Sequence, residues 1–160
     1  MRCRVALPGS PRDGASAGGK GLSRGRSALL SASVGASRRP SPAALTYDPS
    51  NVFARILRRE IPAQVLHEDE HCLAFRDVAP QAPLHFLVIP KRPLARLADA
   101  GGDDGAVLGH LLLTAAAVAR QQGFGDAFRT VLNSGAGAGQ TVFHLHVHVL
   151  AGRPLAWPPG

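Results

Sequence analysis

The sequence contains only two cysteines, and they lie far apart. Cys3 stands near the start of the chain and Cys72 is alone in the remainder, so we expect neither a disulfide framework nor a thiol metal site. Long apolar runs are also lacking. No stretch approaches the roughly 20 consecutive apolar residues that cross a bilayer, so we expect no stable membrane span.

Acidic residues are scarce in the first part of the chain. Residues 1–50 contain eight lysines and arginines against two aspartates, which accounts for +6 of the total charge of +7. This segment is rich in Arg, Ser, Gly and Ala, and it has no apolar core of the kind that a secretory signal needs. We therefore interpret residues 1–46 as a basic, transit-peptide-like leader, expected to be disordered, and residues 47–160 as one domain. Because the basic charge belongs to the leader, we predict no nucleic-acid partner.

The spacing of apolar and polar residues in the domain predicts two helices and five strands. We expect a first helix capped by Ser50 and ended by Pro62, and a second helix over residues 103–122 whose buried stripe includes Leu112. Segregated helices and strands indicate an α+β domain with a mainly antiparallel sheet. The predicted strands cover residues 63–67, 71–76, 85–89, 127–133 and 141–150.

Three histidines, His144, His146 and His148, occupy alternate positions in the last predicted strand. Alternate side chains of a strand share a face, so the three imidazoles would lie about 7 Å apart on one side of the sheet. One unprotonated ring could attack phosphorus in line while a second, protonated ring holds the phosphate oxygens. An oriented nucleophile needs its other nitrogen fixed, which predicts a carbonyl that accepts a hydrogen bond from its Nδ1.

A glycine-rich segment, residues 133–141, precedes the histidines. Small residues let backbone amides approach an anion, so this segment and the imidazoles together predict a phosphate site. Alternating histidines also make zinc or iron sites, and metal ligation therefore stays open as an alternative.

The segment from His67 to His71 matches the letters of the H-E-x-x-H zinc-protease motif. That motif requires a helix, whereas the flanking residues predict two strands around a turn. We therefore interpret the three acidic residues between these histidines as a solvated turn, and Cys72 as a packed strand residue.

Several segments, in order, resemble the histidine triad superfamily. Three further segments narrow the resemblance to the Hint branch of this superfamily, the histidine triad nucleotide-binding proteins. They are residues 77–83, residues 85–91 and the Trp157-Pro158-Pro159-Gly160 ending. This resemblance covers residues 51–160. Because of the basic leader, the chain most resembles the mitochondrial member of that branch. The main motif reads Gly139-Gln140-Thr141-Val142-Phe143-His144-Leu145-His146-Val147-His148-Val149-Leu150.

The resemblance implies a nucleotide site. His146 matches the nucleophile, and His144 and His148 match the flanking histidines that bind and orient phosphate. His85 matches a further histidine near the leaving group. Thr141 stands where this branch usually has Ser, whose hydroxyl helps to protonate the departing amine. The implied nucleotide contacts are Gly139, Gln140 and Val142 in the phosphate loop, Asp77 at the ribose, Asn133 at ribose or phosphate, and Val52, Phe53, Ile56, Phe75 and Val78 around the purine.

The implied activity is that of a purine nucleoside phosphoramidase, which cleaves the P–N bond of adenosine or guanosine 5′-phosphoramidates through a nucleotidylated His146. The resemblance also implies a homodimer with a continuous sheet, an AMP-like substrate and, from the leader, the mitochondrial matrix. No metal and no cofactor are implied. The alternatives are a nucleotide-binding regulatory module with weak activity, a dinucleoside polyphosphate hydrolase and a metalloenzyme.

Overall fold

The computed structural model describes residues 46–158. The leader, apart from Thr46, and the last two residues of the Trp157 to Gly160 ending lie outside the described residues. Trp157 itself is 84% exposed. Among the described helices, none combines the length and the apolar character that crossing a membrane requires.

The described residues form one five-stranded antiparallel sheet and two α-helices, so the predicted α+β class is confirmed. The strands run in the spatial order β1-β2-β3-β5-β4, which places β1 and β4 at the two edges. In chain order the elements are α1 (Val52–Leu57), β1 (Val65–Glu68), β2 (Cys72–Arg76), β3 (Leu84–Pro90), α2 (Gly105–Gln121), β4 (Phe128–Val131) and β5 (Val147–Ala151).

The two faces of the sheet carry separate apolar clusters because successive side chains of a strand alternate. One face packs on α2, and its buried residues include Phe86, Val88, Leu111 and Val149. The other face packs on α1 through Phe53 and Ile56 against Leu73, Phe75, Leu87 and Ile89. His85 in β3 and His148 in β5 alternate onto this second face. Leu87 pairs with His148 and His85 with Leu150, so the two histidines are diagonal neighbours.

Helix α1 is shorter than predicted. Its cap is Asn51 and not Ser50, since Asn51 Oδ1 accepts from the amides of Phe53 at 3.0 Å and Ala54 at 2.9 Å. The Ser50 hydroxyl instead donates to Asp48 Oδ1 at 2.7 Å. The helix ends at Leu57, well before Pro62.

Helix α2 begins at Gly105, after a 3₁₀ turn over Gly102–Asp104. The prediction for Leu112 was wrong, since that residue is 50% exposed. Thr114 lies on the buried face instead, where its hydroxyl oxygen is 3.6 Å from the Cys72 sulfur. A hydroxyl at a buried position does not register in an apolar periodicity, which explains the error.

Candidate active site

The segment that carries the first two histidines is not a strand. Strand β5 begins only at Val147, so the predicted strand over residues 141–150 is confirmed only for its second half. The Leu145 amide donates to Leu94 O at 2.7 Å, a residue beyond the end of β3. The backbone therefore joins the sheet only after His146, and the three imidazoles do not lie in one row.

His146 holds the tautomer required of a nucleophile. Its Nδ1 lies 2.7 Å from His144 O and donates to that carbonyl, as predicted from the sequence. Because Nδ1 carries the proton, Nε2 keeps its lone pair. Within residues 46–158, Nε2 makes no hydrogen bond. It is also not one of the fully buried polar side-chain atoms that lack a hydrogen-bond partner, so it remains accessible. The ring is 5% exposed and packs edge-on against Phe53, with centroids 5.1 Å apart.

His144 is fixed at both nitrogens. Nε2 donates to Pro90 O at 2.8 Å, and Nδ1 accepts from the Tyr47 hydroxyl at 2.5 Å. The side chain is only 1% exposed. With both nitrogens engaged, His144 has no lone pair to offer a metal, which argues against ligation by the three histidines together. Its function in this arrangement is to position the carbonyl that holds His146.

His148 is the end of a chain of hydrogen bonds that starts on the backbone. The Gln81 amide donates to His85 Nδ1 at 3.2 Å, so His85 carries its proton on Nε2. That Nε2 lies 2.9 Å from His148 Nδ1 and donates to it, which leaves the His148 proton on Nε2. His148 therefore presents an N–H group, whereas His146 presents a lone pair, and their ring centroids are 4.9 Å apart.

Asp77 lies beside this chain, although no carboxylate stands near the histidines in sequence. Its Oδ2 is 3.5 Å from His85 Nε2 and 4.0 Å from His148 Nδ1, and Oδ1 accepts from the Ala79 amide at 2.8 Å. These three side chains could hold a metal, since one ligand atom from each lies within 4.8 Å of the others. In the hydrogen-bonded arrangement described above, the His85 proton occupies the position that such an ion would take.

The histidines of the site are neutral at neutral pH. Burial lowers the pKa of His144 to about 4. Burial, with smaller contributions from His146 and His85, lowers the pKa of His148 to about 4. The pKa values of His146 and His85 are likewise lowered, mainly by burial. The expected protonated second ring is therefore replaced by a neutral N–H donor.

The Gln140 side chain fixes the glycine-rich loop through hydrogen bonds to the backbone. This side chain is 2% exposed, its Oε1 accepts from the Gly135 amide at 2.8 Å, and its Nε2 donates to Ala95 O at 2.8 Å and Val142 O at 3.0 Å. All its bonds go to the backbone, so Gln140 shapes the loop and does not offer its side chain to a nucleotide. The exposed tip is a 3₁₀ turn over Ala136–Ala138, closed by Gly139 at a φ of 84°.

Two predicted loop contacts stand at the edges of this loop. Asn133 is partly buried, and its Nδ2 lies 3.9 Å from the point where a Cβ would be on Gly139. Thr141 is exposed at the end of the loop. No hydrogen bond of the Thr141 hydroxyl occurs within the described residues, so this group is free to meet a substrate.

The residues predicted to surround the purine do lie together. They line a cavity of about 630 Å³ between α1 and the strand β2, within the range of small-molecule sites. Asp77 and Thr141 also line it, which puts the predicted ribose and leaving-group contacts at the same opening. Val78 is 100% exposed at the rim, whereas Phe53 and Phe75 form the wall. The predicted residues on the lining are Val52, Phe53, Ile56, Phe75, Asp77, Val78, Thr141 and Val142.

Comparison with known proteins gives the family. The HIT domain matches residues 58–155, which include every histidine of the site. The chain belongs to the HIT domain family. An uncharacterised HIT-like protein of Synechococcus elongatus is 61% identical over 109 residues, covering 68% of this chain and 96% of that protein.

Two further HIT relatives support this assignment. The 14 kDa zinc-binding protein of Zea mays is 48% identical over 115 residues, covering 71% of this chain and 90% of that protein. The crystal structure of a HIT family hydrolase from Legionella pneumophila is similar with a TM-score of 0.67 and 44% identity, covering 69% of this chain and 99% of that chain. The described fold is therefore that of HIT family proteins.

Sequence reasoning missed two members of the HIT site. Tyr47 lies 97 residues before His144 in the chain, and it is the first residue of the predicted domain. Pro90 O is a backbone atom, so no side-chain pattern could identify it. A lone tyrosine directly before a predicted helix was the one available signal.

Proposed function

We propose that this HIT protein is a hydrolase of the purine nucleoside phosphoramidase type, acting on adenosine or guanosine 5′-phosphoramidates. The observation that carries the proposal is the opposed protonation of two adjacent rings. His146 offers a lone pair at Nε2 and His148 offers an N–H at Nε2, as nucleophilic attack on a phosphoryl group requires.

The reaction follows from these groups in two steps. In the first, His146 Nε2 forms a bond to phosphorus while the P–N bond breaks, and the amine leaves with a proton that the Thr141 hydroxyl donates and then regains from solvent. In the second, water attacks the nucleotidylated His146 and releases the nucleoside monophosphate. His148 donates to a non-bridging phosphate oxygen throughout, and the chain from Gln81 through His85 keeps that proton on Nε2.

The cavity beside these groups would hold the purine and ribose. The cavity is walled by Phe53 and Phe75, and Phe53 also contacts the His146 ring. A base packed on the aromatic wall would bring the 5′-phosphorus toward His146, with Asp77 near the ribose hydroxyls. The backbone of the exposed residues 136–139 would then face the phosphate.

Trapping the intermediate tests the proposal directly. The protein is mixed with an adenosine aminoacyl-phosphoramidate labelled at phosphorus, quenched in milliseconds, and digested for mass mapping. Label on the peptide that contains His146, and none on a folded His146→Ala variant, supports the proposal. Turnover with no labelled histidine, or undiminished turnover by His146→Ala, overturns it. Faster cleavage of a dinucleoside polyphosphate than of the P–N substrate would favour that second class of hydrolase.

One residue, Thr141, specifically favours the alternative function of a nucleotide-binding regulatory module. The residue keeps the hydroxyl, but its methyl group restricts χ1 and can turn the proton donor away from the leaving amine. A nucleotide-binding module with weak activity predicts tight AMP binding and slow turnover that the Thr141→Ser substitution accelerates.

We also propose a homodimer. Leu113 of α2 is 73% exposed and Leu112 is 50% exposed, and β4 is an edge strand that could pair with its copy. Analytical ultracentrifugation of the wild type and of the Leu113→Glu variant tests this, and a monomeric wild type would overturn it.

Mitochondrial import of the chain is a separate proposal that rests on the basic leader. Its test is the location of the full chain fused to a fluorescent protein, compared with the chain from residue 47 onward. Plastid import of the fusion, or cytosolic retention, would overturn it.

A further inference from the structure

The loop between β2 and β3, residues 77–83, supplies the backbone amide that starts the hydrogen-bond chain to His148. The Gln81 amide lies 3.2 Å from His85 Nδ1, and that nitrogen makes no other hydrogen bond in the described part of the chain. The tautomer of His85 therefore depends on where this one amide stands. Gln81 is itself exposed, so burial of its own side chain does not fix the loop.

Two residues that directly follow β5 contact this loop. Arg153 Nε donates to Gln81 O at 3.2 Å, and Arg153 Nη1 donates to Pro154 O at 3.1 Å. Gly152, at a φ of 89°, lies so close to Pro83 that a Cβ on it would be 2.9 Å from the Pro83 Cβ. Glycine adopts this φ without strain and leaves room for the proline. The chain after β5 therefore meets the loop at two points.

The Arg153 guanidinium connects backbone segments. Both of its hydrogen bonds end on backbone carbonyls, so its contribution is to fix the positions of those carbonyls. Arg153 is separated by only one residue from the end of β5, the strand that contains His148. One segment of the chain thus carries the last acceptor of the hydrogen-bond chain and also the side chain that fixes its first donor.

The other tautomer of His148 would remove the proposed contact to phosphate. Asp77 Oδ2 lies 3.5 Å from His85 Nε2 and 4.0 Å from His148 Nδ1, so it is a second acceptor beside the chain. Once the Gln81 amide moves away, the His85 proton can transfer to Nδ1, and His148 can then carry its own proton on Nδ1. His148 Nε2 would then present a lone pair, which repels a phosphate oxygen.

We infer that Arg153 is a positioning residue for the phosphate donor of the site. Its hydrogen bond to Gln81 O holds the loop so that the Gln81 amide keeps His85, and through it His148, protonated at Nε2. Arg153 acts through the backbone of the loop and not on the substrate. The inference rests on the proposed function, since it assigns Arg153 to the His148 donor of that reaction.

NMR of the untagged full chain, labelled in its histidine ring nitrogens, reads the tautomers with or without turnover. We expect the His148 proton on Nε2 in the wild type and a mixture of Nε2–H and Nδ1–H in R153Q. The H148N variant assigns the signals. Because Arg153 is exposed, R153Q should fold and show the wild-type circular dichroism spectrum.

Turnover of the phosphoramidate measures the consequence. Loss of a fixed donor to a phosphoryl oxygen costs about 10²-fold or more in kcat, and R153Q only loosens that donor, so we expect kcat to fall by about 10-fold. KM should change less, because the purine cavity is not altered. R153K keeps a charged donor and should recover part of the kcat and part of the Nε2–H population.

Arg129 of β4 provides the matched control, because its Nη2 donates to another backbone carbonyl, Ala156 O, at 2.6 Å. R129Q should keep the wild-type kcat and the wild-type tautomer of His148. In an H85A background, R153Q should have no further effect on kcat, since the hydrogen-bond chain is already broken. An equal loss in R129Q, or an R153Q effect that persists in H85A, would overturn the inference.

The tautomer separates this inference from the proposed function. A wild type that cleaves no P–N bond would overturn the phosphoramidase proposal alone, because the His148 signals still report on Arg153. A His148 ring that stays protonated at Nε2 in R153Q, as in the wild type, would overturn the positioning role whatever the turnover.

Discussion

The Tyr47 hydroxyl donates a hydrogen bond to Nδ1 of His144 at 2.5 Å, across 97 positions of the sequence. His144 in turn supplies the carbonyl that orients His146 at 2.7 Å. The geometry of the proposed nucleophile therefore depends on a residue at the very start of the domain. The ring of Tyr47 also packs edge-on against His144, with centroids 5.5 Å apart.

The substitution Tyr47→Phe should reduce both stability and turnover. It keeps the ring contact but leaves His144 Nδ1 without its donor, and we expect the free energy of unfolding to fall by about 1 kcal/mol. Urea unfolding measures this change, and kcat should fall with little change in KM. Tyr47→Ala, which also removes the ring, should be less stable than Tyr47→Phe. Unchanged kcat in both variants would show that the contact does not orient His146.

The substitution Gln140→Met should weaken nucleotide binding by releasing the loop. Three backbone groups, the buried Ala95 O and the partly buried Gly135 N and Val142 O, lose their partner, and we expect a loss of roughly 3 kcal/mol in unfolding free energy. KM should rise more than kcat falls. Gln140→Glu is the comparison variant: it keeps the acceptor for Gly135 but puts a carboxylate oxygen against the carbonyls of Ala95 and Val142, so we expect it to be at least as destabilising. Equal KM values for wild type and Gln140→Met would contradict a role of Gln140 in shaping the loop.

The substitution Thr141→Val tests proton donation to the leaving amine. The two side chains have similar shape, so the variant removes the hydroxyl alone at an exposed position. Loss of a general acid lowers kcat by about 10²-fold or more for a poor amine leaving group. A substrate with an acidic amine should be much less affected, since it departs without a proton. Equal losses for both leaving groups would remove Thr141 from this step.

Acidification should destabilise the protein through its buried histidines. The pKa values of His144 and His148 are lowered from the ordinary 6.5 to about 4 in the folded state, so only the unfolded chain takes up these protons between those values. The unfolding free energy therefore falls as pH decreases through this window, by at most roughly 3 kcal/mol for each group. Chemical denaturation at several pH values measures the slope, and His148→Asn should make it shallower. A slope unchanged by that substitution would contradict the buried, neutral state of His148.

The pH dependence of kcat/KM reports on His146. Burial lowers the pKa of His146, so its Nε2 stays unprotonated in mildly acidic solution. We expect the acid limb of the profile to lie below pH 6.5, the ordinary histidine value. An acid limb above that value would contradict the burial of this ring in the working enzyme.

Continuous apolar runs between turn residues were sufficient to predict β2 and β3, because these strands are buried on both faces, whereas β5 shows an alternating burial pattern. The predicted contacts around the purine also came together in one cavity. Contacts between distant segments were not predictable. The approach of Asp77 to His148 depends on the pairing of β3 with β5, and the Tyr47 contact depends on where the chain enters the domain.

The errors at the ends of elements have a common physical origin. Ser50 and Asn51 can both cap a helix, and the choice was decided by Asp48, which binds the Ser50 hydroxyl. The histidine segment alternates like a strand but makes its hydrogen bond at Leu145 to Leu94, outside the sheet. In both cases a tertiary or neighbouring partner overrode a local preference.

The exposed turn Ala136–Ala138 takes no part in the bonds that Gln140 makes, since these reach only Gly135, Ala95 and Val142. Larger or charged side chains at Ala136 and Ala138 would therefore project into solvent without loosening the scaffold beneath them. This turn therefore suits a randomised library that tests whether the loop affects substrate selectivity, because substitutions there should leave the fold intact.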